Sequence, residues 1–492
     1  MVTPEIAYLP AGRGSHFSRL SAKGGGVGDV SATLIHTLFE QGVDIHVAIP
    51  DYRRVFNKRR SPLAGRNLDA AYNQKTEERI HLARDRSLFY VDQIACGGGA
   101  ENLKHALNFQ REVINQIVPR VKPDLIHCHD WMTGLIPAMT RRLKIPCLFT
   151  LHNIYTEKCL LSHIEDVGID AAYFWRNLYY DRYPQSYEKA RDTNPVNSLA
   201  SGIFAAHFVN TVSPTFLMEI INGRHSGLDQ CLCQELAYKH DSECAVGILN
   251  APDPSYNPLT DKALFRRFSA RDHYAAKQYN KLFLQEKLGL LMDSRAPVFF
   301  WPSRLDPGQK GCRLLAEILY EILCRYRGQN LQMVFVADGE FKKHFKDIIG
   351  MHQLNGRVAV YDYEERLSRR AYAASDFVLI PSCFEPCGLP QMIGPLYGAL
   401  PVAYDTGGLH DTVIHLDVDH NTGNGFLFKN HDTGGLYWAI KEAMRFYNLS
   451  PELKSRQVER VMTQSAADFR AETMTSQYIQ LYEQMLERPL FN

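Results

Sequence analysis

Short apolar runs alternate with longer amphipathic stretches along nearly the whole chain. The short runs predict buried strands, and stretches with apolar residues every three or four positions, such as 30–38, 103–118 and 472–486, predict helices. This alternation is typical of an α/β protein with parallel sheets. The predicted strands are 45–49, 124–127, 147–151, 208–212, 298–301, 333–336, 358–361, 377–380, 401–404 and 425–428.

The predicted strands fall into two groups. Residues 252–295, which separate the groups, are richer in Pro, Asp, Lys and Arg and contain no strand pattern. Because 492 residues exceed the size of one ordinary core, we predict two doubly wound domains, residues 1–245 and 246–470, with a ligand in the cleft between them. We expect the last helix, within residues 471–492, to pack back on the first domain.

Composition and charge narrow the function classes. With 45% hydrophobic and 22% charged residues, the chain has the composition of a soluble globular protein. A net charge of +1 gives no overall attraction to nucleic acid or to anionic membranes. No apolar run approaches the roughly 18 residues of a membrane span, and no secretory signal is visible. The eleven cysteines lack a compact framework, so we expect reduced thiols in a cytoplasmic protein.

The turn after the predicted strand 377–380 offers both halves of a nucleotide-sugar site. Glu385 lies where ligands bind in open α/β sheets, outside the carboxyl end of a strand, and its carboxylate can bind sugar hydroxyls. The backbone N–H groups that open the next helix can receive a phosphate; this segment contains Cys387, Gly388 and Leu389. The alternative is an ordinary loop with a solvated Glu385.

Two more glycine-rich turns precede helical patterns. Such turns let the backbone approach a ligand closely, and Lys23 supplies a charge to match a phosphate, although neither turn is a standard phosphate loop. The alternative is a flexible turn with a solvated lysine. The residues of interest are Lys23, Gly25 and Gly26 in the first turn and Thr406, Gly407 and Gly408 in the second.

Two cations flank a tight turn after the predicted strand 298–301. Arg304 can bind a pyrophosphate through two hydrogen bonds and Lys310 as a point charge. Fixed cations there stabilise the charge that grows on a departing nucleoside diphosphate, and can replace a metal. The alternative is two surface cations at a turn.

A cluster of polar residues ends the predicted strand 124–127. His127 and His129 lie on one face of a strand, but a third ligand is not evident, so we predict no metal site. Asp130 and Trp131 suit a sugar, since a carboxylate binds hydroxyls and an aromatic ring covers a sugar face. The next predicted strand ends at two more hydrogen-bonding residues, His152 and Asn153.

Together these motifs resemble the bacterial glycogen synthase and plant starch synthase family. Residues 23–30, Lys-Gly-Gly-Gly-Val-Gly-Asp-Val, are similar to the family's Lys-x-Gly-Gly-Leu-Ala-Asp-Val. The other similar segments occur in the family's order along nearly the whole chain: 129–131, 151–153, 211–214, 247–250, 303–305, 309–311, 384–389 and 406–412.

The resemblance implies a GT-B fold, with the active site between two Rossmann-like domains. It implies a retaining enzyme that transfers glucose from ADP-glucose to the non-reducing end of an α-1,4-glucan without a metal or other cofactor. The acceptor would attack from the face that the diphosphate leaves, and the leaving phosphate would take the acceptor's proton.

The resemblance also implies roles for single residues. Arg304 and Lys310 would hold the diphosphate, Glu385 the glucose hydroxyls, and His152 and Asp130 would line the sugar pocket, with the His152 carbonyl near the anomeric centre. The implied donor-binding residues are Lys23, Gly25, Gly26, Asn250, Tyr363 (near the adenine), Cys387, Gly388, Leu389, Thr406, Gly407 and Gly408. The implied acceptor-binding residues are Asp29, Trp131 and Asn153.

The chain departs from the family pattern in three places. Pro390 replaces a Thr and lacks an N–H. Residues 8–17 form a longer segment without the family's acid, and Asn250 is followed by Ala-Pro-Asp. The sequence therefore indicates a divergent member. Two alternatives are a related transferase with a small-sugar acceptor and a catalytically silent glucan-binding homologue, although the retained charges argue against the second.

Overall fold

The computed structural model describes residues 1–7, 26–58, 79–92, 94, 99–225 and 228–491. The chain divides into two compact units, Met1–Asn250 with Ala471–Asn492, and Ala251–Arg470. The first unit continues to Asn250, rather than ending at residue 245, because the strand Ala245–Gly247 pairs with the sheet of that unit.

A parallel sheet forms the centre of the first unit. Val2 bridges β1 and β3 in parallel, which gives the order β2-β1-Val2-β3-β4-β7-β8, and β5 and β6 form a separate antiparallel pair. The strands are β1 (Val47–Pro50), β2 (Ile80–Ala83), β3 (Ile126–His129), β4 (Cys147–Leu151), β5 (Lys158–Cys159), β6 (Val196–Asn197), β7 (Phe208–Thr211) and β8 (Ala245–Gly247).

Helices connect these strands. The predicted helix 103–118 is interrupted by a π-helical segment, Val113–Ile117, after which Pro119 occupies the first turn of a short helix, where its missing N–H is not needed. The α-helices are α1 (Gly26–Glu40), α2 (Arg53–Lys58), α3 (Arg86–Phe89), α4 (Ala100–Glu112), α5 (Val118–Val121), α6 (Ile136–Thr140), α7 (Leu161–Asp166), α8 (Tyr187–Arg191), α9 (Ser198–Ala205), α10 (Pro214–Ile221) and α11 (Gln230–Asp241).

The second unit has a parallel sheet in the order β11-β10-β9-β12-β13-β14. Its central strands are buried along their whole length, as expected when helices cover both faces of a sheet. The strands are β9 (Val298–Trp301), β10 (Gln332–Val336), β11 (Val358–Tyr361), β12 (Phe377–Ile380), β13 (Leu400–Tyr404) and β14 (Phe426–Phe428). The helices are α12 (His273–Leu288), α13 (Cys312–Arg325), α14 (Lys342–Met351), α15 (Glu365–Ala374), α16 (Pro390–Leu396), α17 (Gly407–Thr412), α18 (Thr433–Tyr447) and α19 (Pro451–Asp468).

Aromatic side chains fill the core of the second unit. Phe299 on β9 stacks on Phe377 on β12, with 4.7 Å between ring centroids. Phe335 on β10 contacts Phe345 on α14 at the same centroid distance, and all four rings are fully buried. Each large aromatic side chain removes much apolar surface from water, so this cluster contributes strongly to stability.

The last helix, α20 (Ala471–Leu486), belongs to the first unit. It packs against α1, and its Tyr478 and Tyr482 are buried. Within the described residues, no helix is long and apolar enough to span a membrane. The predicted fold class, an α/β protein with two doubly wound parallel sheets, is confirmed.

Two helical glycines of the second unit provide a test of its packing. A Cβ at Gly394 on α16 would lie 2.6 Å from the Ala399 carbonyl oxygen and 2.7 Å from Val378 Cγ2, whereas a Cβ at Gly350 on α14 would meet nothing within 4 Å. We expect Gly394→Ala to lower the free energy of unfolding by about 1–3 kcal/mol through overpacking. Gly350→Ala should raise it by up to about 1 kcal/mol through helix propensity. Urea unfolding measures both, and equal effects would contradict the described packing.

Candidate functional site

The strand order of the second unit reverses between β9 and β12. In the order β11-β10-β9-β12-β13-β14, β10 and β11 follow on one side of β9, whereas β12, β13 and β14 follow on its other side. Ligands of open α/β sheets bind at such a point, outside the carboxyl ends of the strands. The turn after β9 carries Arg304 and Lys310, and the turn after β12 carries Glu385.

These two turns are locked together by their backbones. Asp306 Oδ1 accepts a hydrogen bond from the Gly308 N–H at 2.8 Å, which tightens the first turn. Gly311 has φ +73°, and a Cβ there would lie 1.9 Å from the Pro381 carbonyl oxygen, so only glycine permits this approach. The Cys383 N–H then donates to the Gln309 carbonyl at 2.8 Å.

The approach of the two turns creates a buried ion pair. Lys310 Nζ lies 2.6 Å from Glu385 Oε2, and both side chains are 11% exposed. The Ser382 hydroxyl donates to the same carboxylate oxygen at 2.9 Å. Charges removed from water cost solvation energy, which their pairing and hydrogen bonds offset only in part. The pair therefore places two opposite, fixed charges at the strand ends.

A third turn, which follows the neighbouring strand β13, contacts the backbone of Glu385. The Gly408 N–H donates to the Glu385 carbonyl at 3.0 Å. Gly407 has φ +45°, and a Cβ there would lie 2.1 Å from the same oxygen. Thr406 is buried and precedes α17. The glycines predicted to approach a ligand thus approach the backbone of Glu385.

The segment between Glu385 and α16 is held by a buried amide. Gln391 Nε2 donates to the Cys387 carbonyl at 2.7 Å and to the Gly388 carbonyl at 3.1 Å. Leu389 is the N-cap of α16 and Pro390 its first residue. That position has no intrahelical partner for an N–H, so Pro390 starts the helix without strain, although it supplies no donor.

The other residues predicted to bind the donor lie in different parts of the chain. Arg304 is exposed, and Tyr363, 43% exposed, follows β11 at the edge of the sheet. Asn250 is buried in the first unit, where its Oδ1 has no hydrogen-bond partner among the described residues. Gly26 begins α1, whereas Lys23 and Gly25 lie outside the described residues.

The sheet of the first unit reverses its order between Val2 and β3. Asp130 follows β3 and has φ 56° and ψ −179°, a conformation that costs energy for a residue other than glycine. Its Oδ1 accepts a hydrogen bond from the His152 N–H at 2.7 Å. Burial raises the pKa of the Asp130 carboxyl to about 7, and the charge of Glu5 acts in the same direction.

Two neutral histidines stand beside this carboxyl. His152 Nε2 and His129 Nδ1 form a hydrogen bond of 2.8 Å. Burial lowers the pKa of His152 to about 3 and that of His129 well below its usual range. Both rings therefore stay uncharged at neutral pH, where they act as hydrogen-bonding groups.

An acid near the N-terminus, Glu5, was not among the predicted site residues. Glu5 is 6% exposed and follows Val2, at the point where the strand order reverses. The charge of Glu5 is one of the causes that raise the pKa of Asp130. The apolar pattern around Val2 is too short to predict a strand, and this is why the acid was missed. Residues 8–17 lie outside the described residues.

The residues predicted to bind the acceptor differ in their accessibility. Asp29 lies in the first turn of α1 and is half-buried. Asn153 follows β4, and its Oδ1 accepts a hydrogen bond from the Ile154 N–H at 2.7 Å. Trp131 is only 6% exposed, so its ring contributes more to the core than to a surface for sugar binding.

His127 and His129 stack on each other, with 4.2 Å between ring centroids. These two histidines are the residues considered above as possible metal ligands. The described part of the chain contains no group of three or more His, Cys, Asp or Glu residues that could hold a metal ion.

Comparisons with known proteins cover most of the chain. The model of the starch synthase catalytic domain matches residues 14–234, and that of glycosyl transferases group 1 matches residues 296–445. The glycogen synthase of Alkaliphilus metalliredigens is 30% identical over 87% of this chain and 90% of its own length. The glycogen synthase of Bacillus subtilis is 30% identical over 94% of this chain and 95% of its own length.

A solved structure shows the same similarity. The catalytic domain of starch synthase IV from Arabidopsis thaliana, bound to ADP and acarbose, is 27% identical and covers 99% of both chains with a TM-score of 0.79. The predicted GT-B fold class is thereby confirmed.

The raised pKa of Asp130 predicts a dependence of stability on pH. Between about pH 4 and 7 the folded protein keeps a proton that the unfolded chain has lost, so stability falls as the pH rises through this window. Asp130→Asn should flatten this slope, whereas Asp166→Asn, at an exposed position, should not. Urea midpoints at pH 4, 5.5 and 7 measure the effect. An unchanged slope in Asp130→Asn would show that the carboxyl titrates normally.

Proposed function

Since the chain belongs to the family of the bacterial glycogen synthases and plant starch synthases, we propose that it transfers glucose from ADP-glucose to the non-reducing end of an α-1,4-glucan, with retention of configuration. The observation that carries this proposal is the buried pair of Lys310 and Glu385, 2.6 Å apart at the strand ends of the second unit. Such a pair presents one charge to a phosphate and one to sugar hydroxyls.

In this proposal the second unit binds the donor. When the bond between glucose and the diphosphate breaks, negative charge grows on the leaving phosphate, and Lys310 and Arg304 stabilise it. Lys310 is held by its ion pair with Glu385 before the reaction, and we propose that no metal is required. Glu385 binds the glucose hydroxyls, and its backbone is held by the turns described above.

Other residues complete the donor site in this proposal. The ring of Tyr363, which is 43% exposed, is proposed to stack near the adenine. The unpaired Oδ1 of Asn250 is available to accept a hydrogen bond from a sugar hydroxyl. The turns around Cys387 and Thr406 hold Glu385 in place. ADP in the structure of starch synthase IV supports the choice of the nucleotide.

The first unit supplies the sugar pocket in this proposal. The hydrogen bond from the His152 N–H to Asp130 orients the backbone after β4, including the His152 carbonyl proposed to lie near the anomeric carbon. Neutral His152 hydrogen-bonds without adding a charge. The acceptor hydroxyl attacks from the face that the diphosphate leaves, and its proton passes to the leaving phosphate oxygen, which explains retention without a protein nucleophile.

The acceptor is proposed to be an α-glucan, bound near Asp29 and Asn153. Trp131 would then support this region from the core, since it is almost fully buried. We also propose a cytoplasmic location. The cysteines that the structure describes are all free thiols, which agrees with a reducing compartment.

The direct test of this function is glucose transfer to glycogen from ADP-glucose and from UDP-glucose, with EDTA present. Elongation of glycogen with ADP-glucose is the expected result. Donor hydrolysis without elongation would support the nucleotide-sugar site but exclude glycogen as acceptor. Absence of both donor turnover and donor binding would refute the proposal, and a requirement for added metal would refute the metal-free mechanism.

The two cations of the second unit should each be needed for turnover. We expect Arg304→Ala and Lys310→Ala to lower kcat by roughly 100-fold or more, because a lost charge contact in the transition state is typically worth a few kcal/mol. Arg313→Ala is a control for Arg304, which is exposed as well, and Lys343→Ala is a control for the loss of a lysine charge in the same unit. Both should keep wild-type turnover. Normal kcat in Arg304→Ala or Lys310→Ala would contradict the diphosphate role of that residue.

A further inference from the structure

A buried hydrogen-bond chain begins and ends on helix α20. The Tyr482 hydroxyl lies 2.7 Å from His127 Nδ1, and His127 Nε2 lies 2.5 Å from the Thr150 hydroxyl. The Thr150 hydroxyl donates to the Asn210 side chain. Asn210 Nδ2 donates to the hydroxyl of Tyr478 at 3.0 Å. The chain thus links one turn of α20 to strands β3, β4 and β7.

The donors and acceptors in this chain fix the protonation of His127. Because the Thr150 hydroxyl gives its proton to Asn210, it can only accept from His127, so His127 carries its proton on Nε2. His127 Nδ1 is then an acceptor, and the Tyr482 hydroxyl must be its donor. Tyr482 therefore stabilises one neutral tautomer of His127.

His127 is connected to the proposed sugar pocket through His129. Its ring stacks on His129, with 4.2 Å between centroids, and His129 hydrogen-bonds to His152 at 2.8 Å. The ring of His129 also stacks on that of His152. A movement of the His127 ring, or a charge on it, would therefore act through His129 on His152, whose N–H donates to Asp130.

We propose that Tyr482 is a positioning residue for catalysis, which holds His127 as the neutral Nε2–H tautomer and so keeps His129 and His152 in place. This inference rests on the proposed function, since it assigns a role in the same sugar pocket. It gives helix α20 a part in the reaction, although α20 lies far from the pocket residues in the sequence.

The surroundings of His127 explain why a proton there would matter. The titratable groups that face it are the Met1 ammonium, His129, His152, Tyr478 and Tyr482. Burial, the ammonium and His152 all lower the pKa of His127, and none of the groups named above as facing His127 in the described part of the chain is a carboxylate that would favour the imidazolium. The hydrogen bond that Tyr482 donates to Nδ1 acts in the same direction, because it is possible only while that nitrogen is unprotonated.

The first experiment compares Tyr482→Phe with the wild type in glucose transfer across pH. We expect kcat to fall on the order of tenfold, KM for donor and acceptor to stay within about twofold, and the acidic limb of kcat to move to higher pH. Tyr180→Phe is the matched control. Tyr180 lies in the same unit, is 7% exposed like Tyr482, and donates only to the Trp175 carbonyl.

The outcomes separate this inference from the proposed function. Tyr482→Phe with wild-type kcat and pH profile, in an active enzyme, would overturn the inference alone. An equal loss in Tyr180→Phe would also overturn it, since the effect would then be general loss of packing. An inactive wild type would refute the proposed function instead.

A second measurement does not depend on activity. ¹⁵N NMR of labelled histidine distinguishes the two tautomers of His127, and His127→Gln identifies its signals. We expect the Nε2–H form in the wild type at all pH values where the protein is folded, and protonation of His127 at a higher pH in Tyr482→Phe. The same tautomer and the same titration in both proteins would overturn the inference.

Discussion

Both units of this protein depend on one constraint of parallel sheets, the single place where the strand order reverses. The connections on either side of this place run in opposite directions, so the carboxyl ends of two adjacent strands remain uncovered. In the second unit these strands are β9 and β12, and they carry Lys310 and Glu385. In the first unit they are the Val2 segment and β3, which carry Glu5 and Asp130.

At these places the structure keeps polar groups under conditions that cost stability. Lys310 and Glu385 form an ion pair that is almost fully buried. Asp130 has a pKa raised to about 7 and a strained backbone. His152 is buried in its uncharged form. A core of apolar residues would avoid each cost. Strain and shifted pKa values such as those at Asp130 and His152 are typical of functional sites, which agrees with the family to which the chain belongs.

The sequence predicted most of the sheets but little of the geometry of the candidate site. Strands such as β9 and β12 were found because central parallel strands are continuous apolar runs, whereas β2, which contains a histidine, and the three-residue β8 gave too weak a pattern. Glu385 and Lys310 were named as candidate site residues, but their ion pair was not predicted, because it depends on contacts between turns 75 residues apart. The pKa of Asp130 and the link from Tyr482 to His127 likewise arise only from tertiary burial.

The central claim is that the Lys310–Glu385 pair is kept for a ligand rather than for the fold. The most direct test replaces both residues with apolar ones of similar size, Lys310→Met with Glu385→Leu, and measures urea unfolding and glucose transfer from ADP-glucose on the same protein. The account predicts an unchanged or higher free energy of unfolding, because a buried ion pair replaced as a whole typically costs nothing, together with loss of turnover. A free energy of unfolding lowered by about 3 kcal/mol or more, or turnover that survives the double replacement, would contradict it.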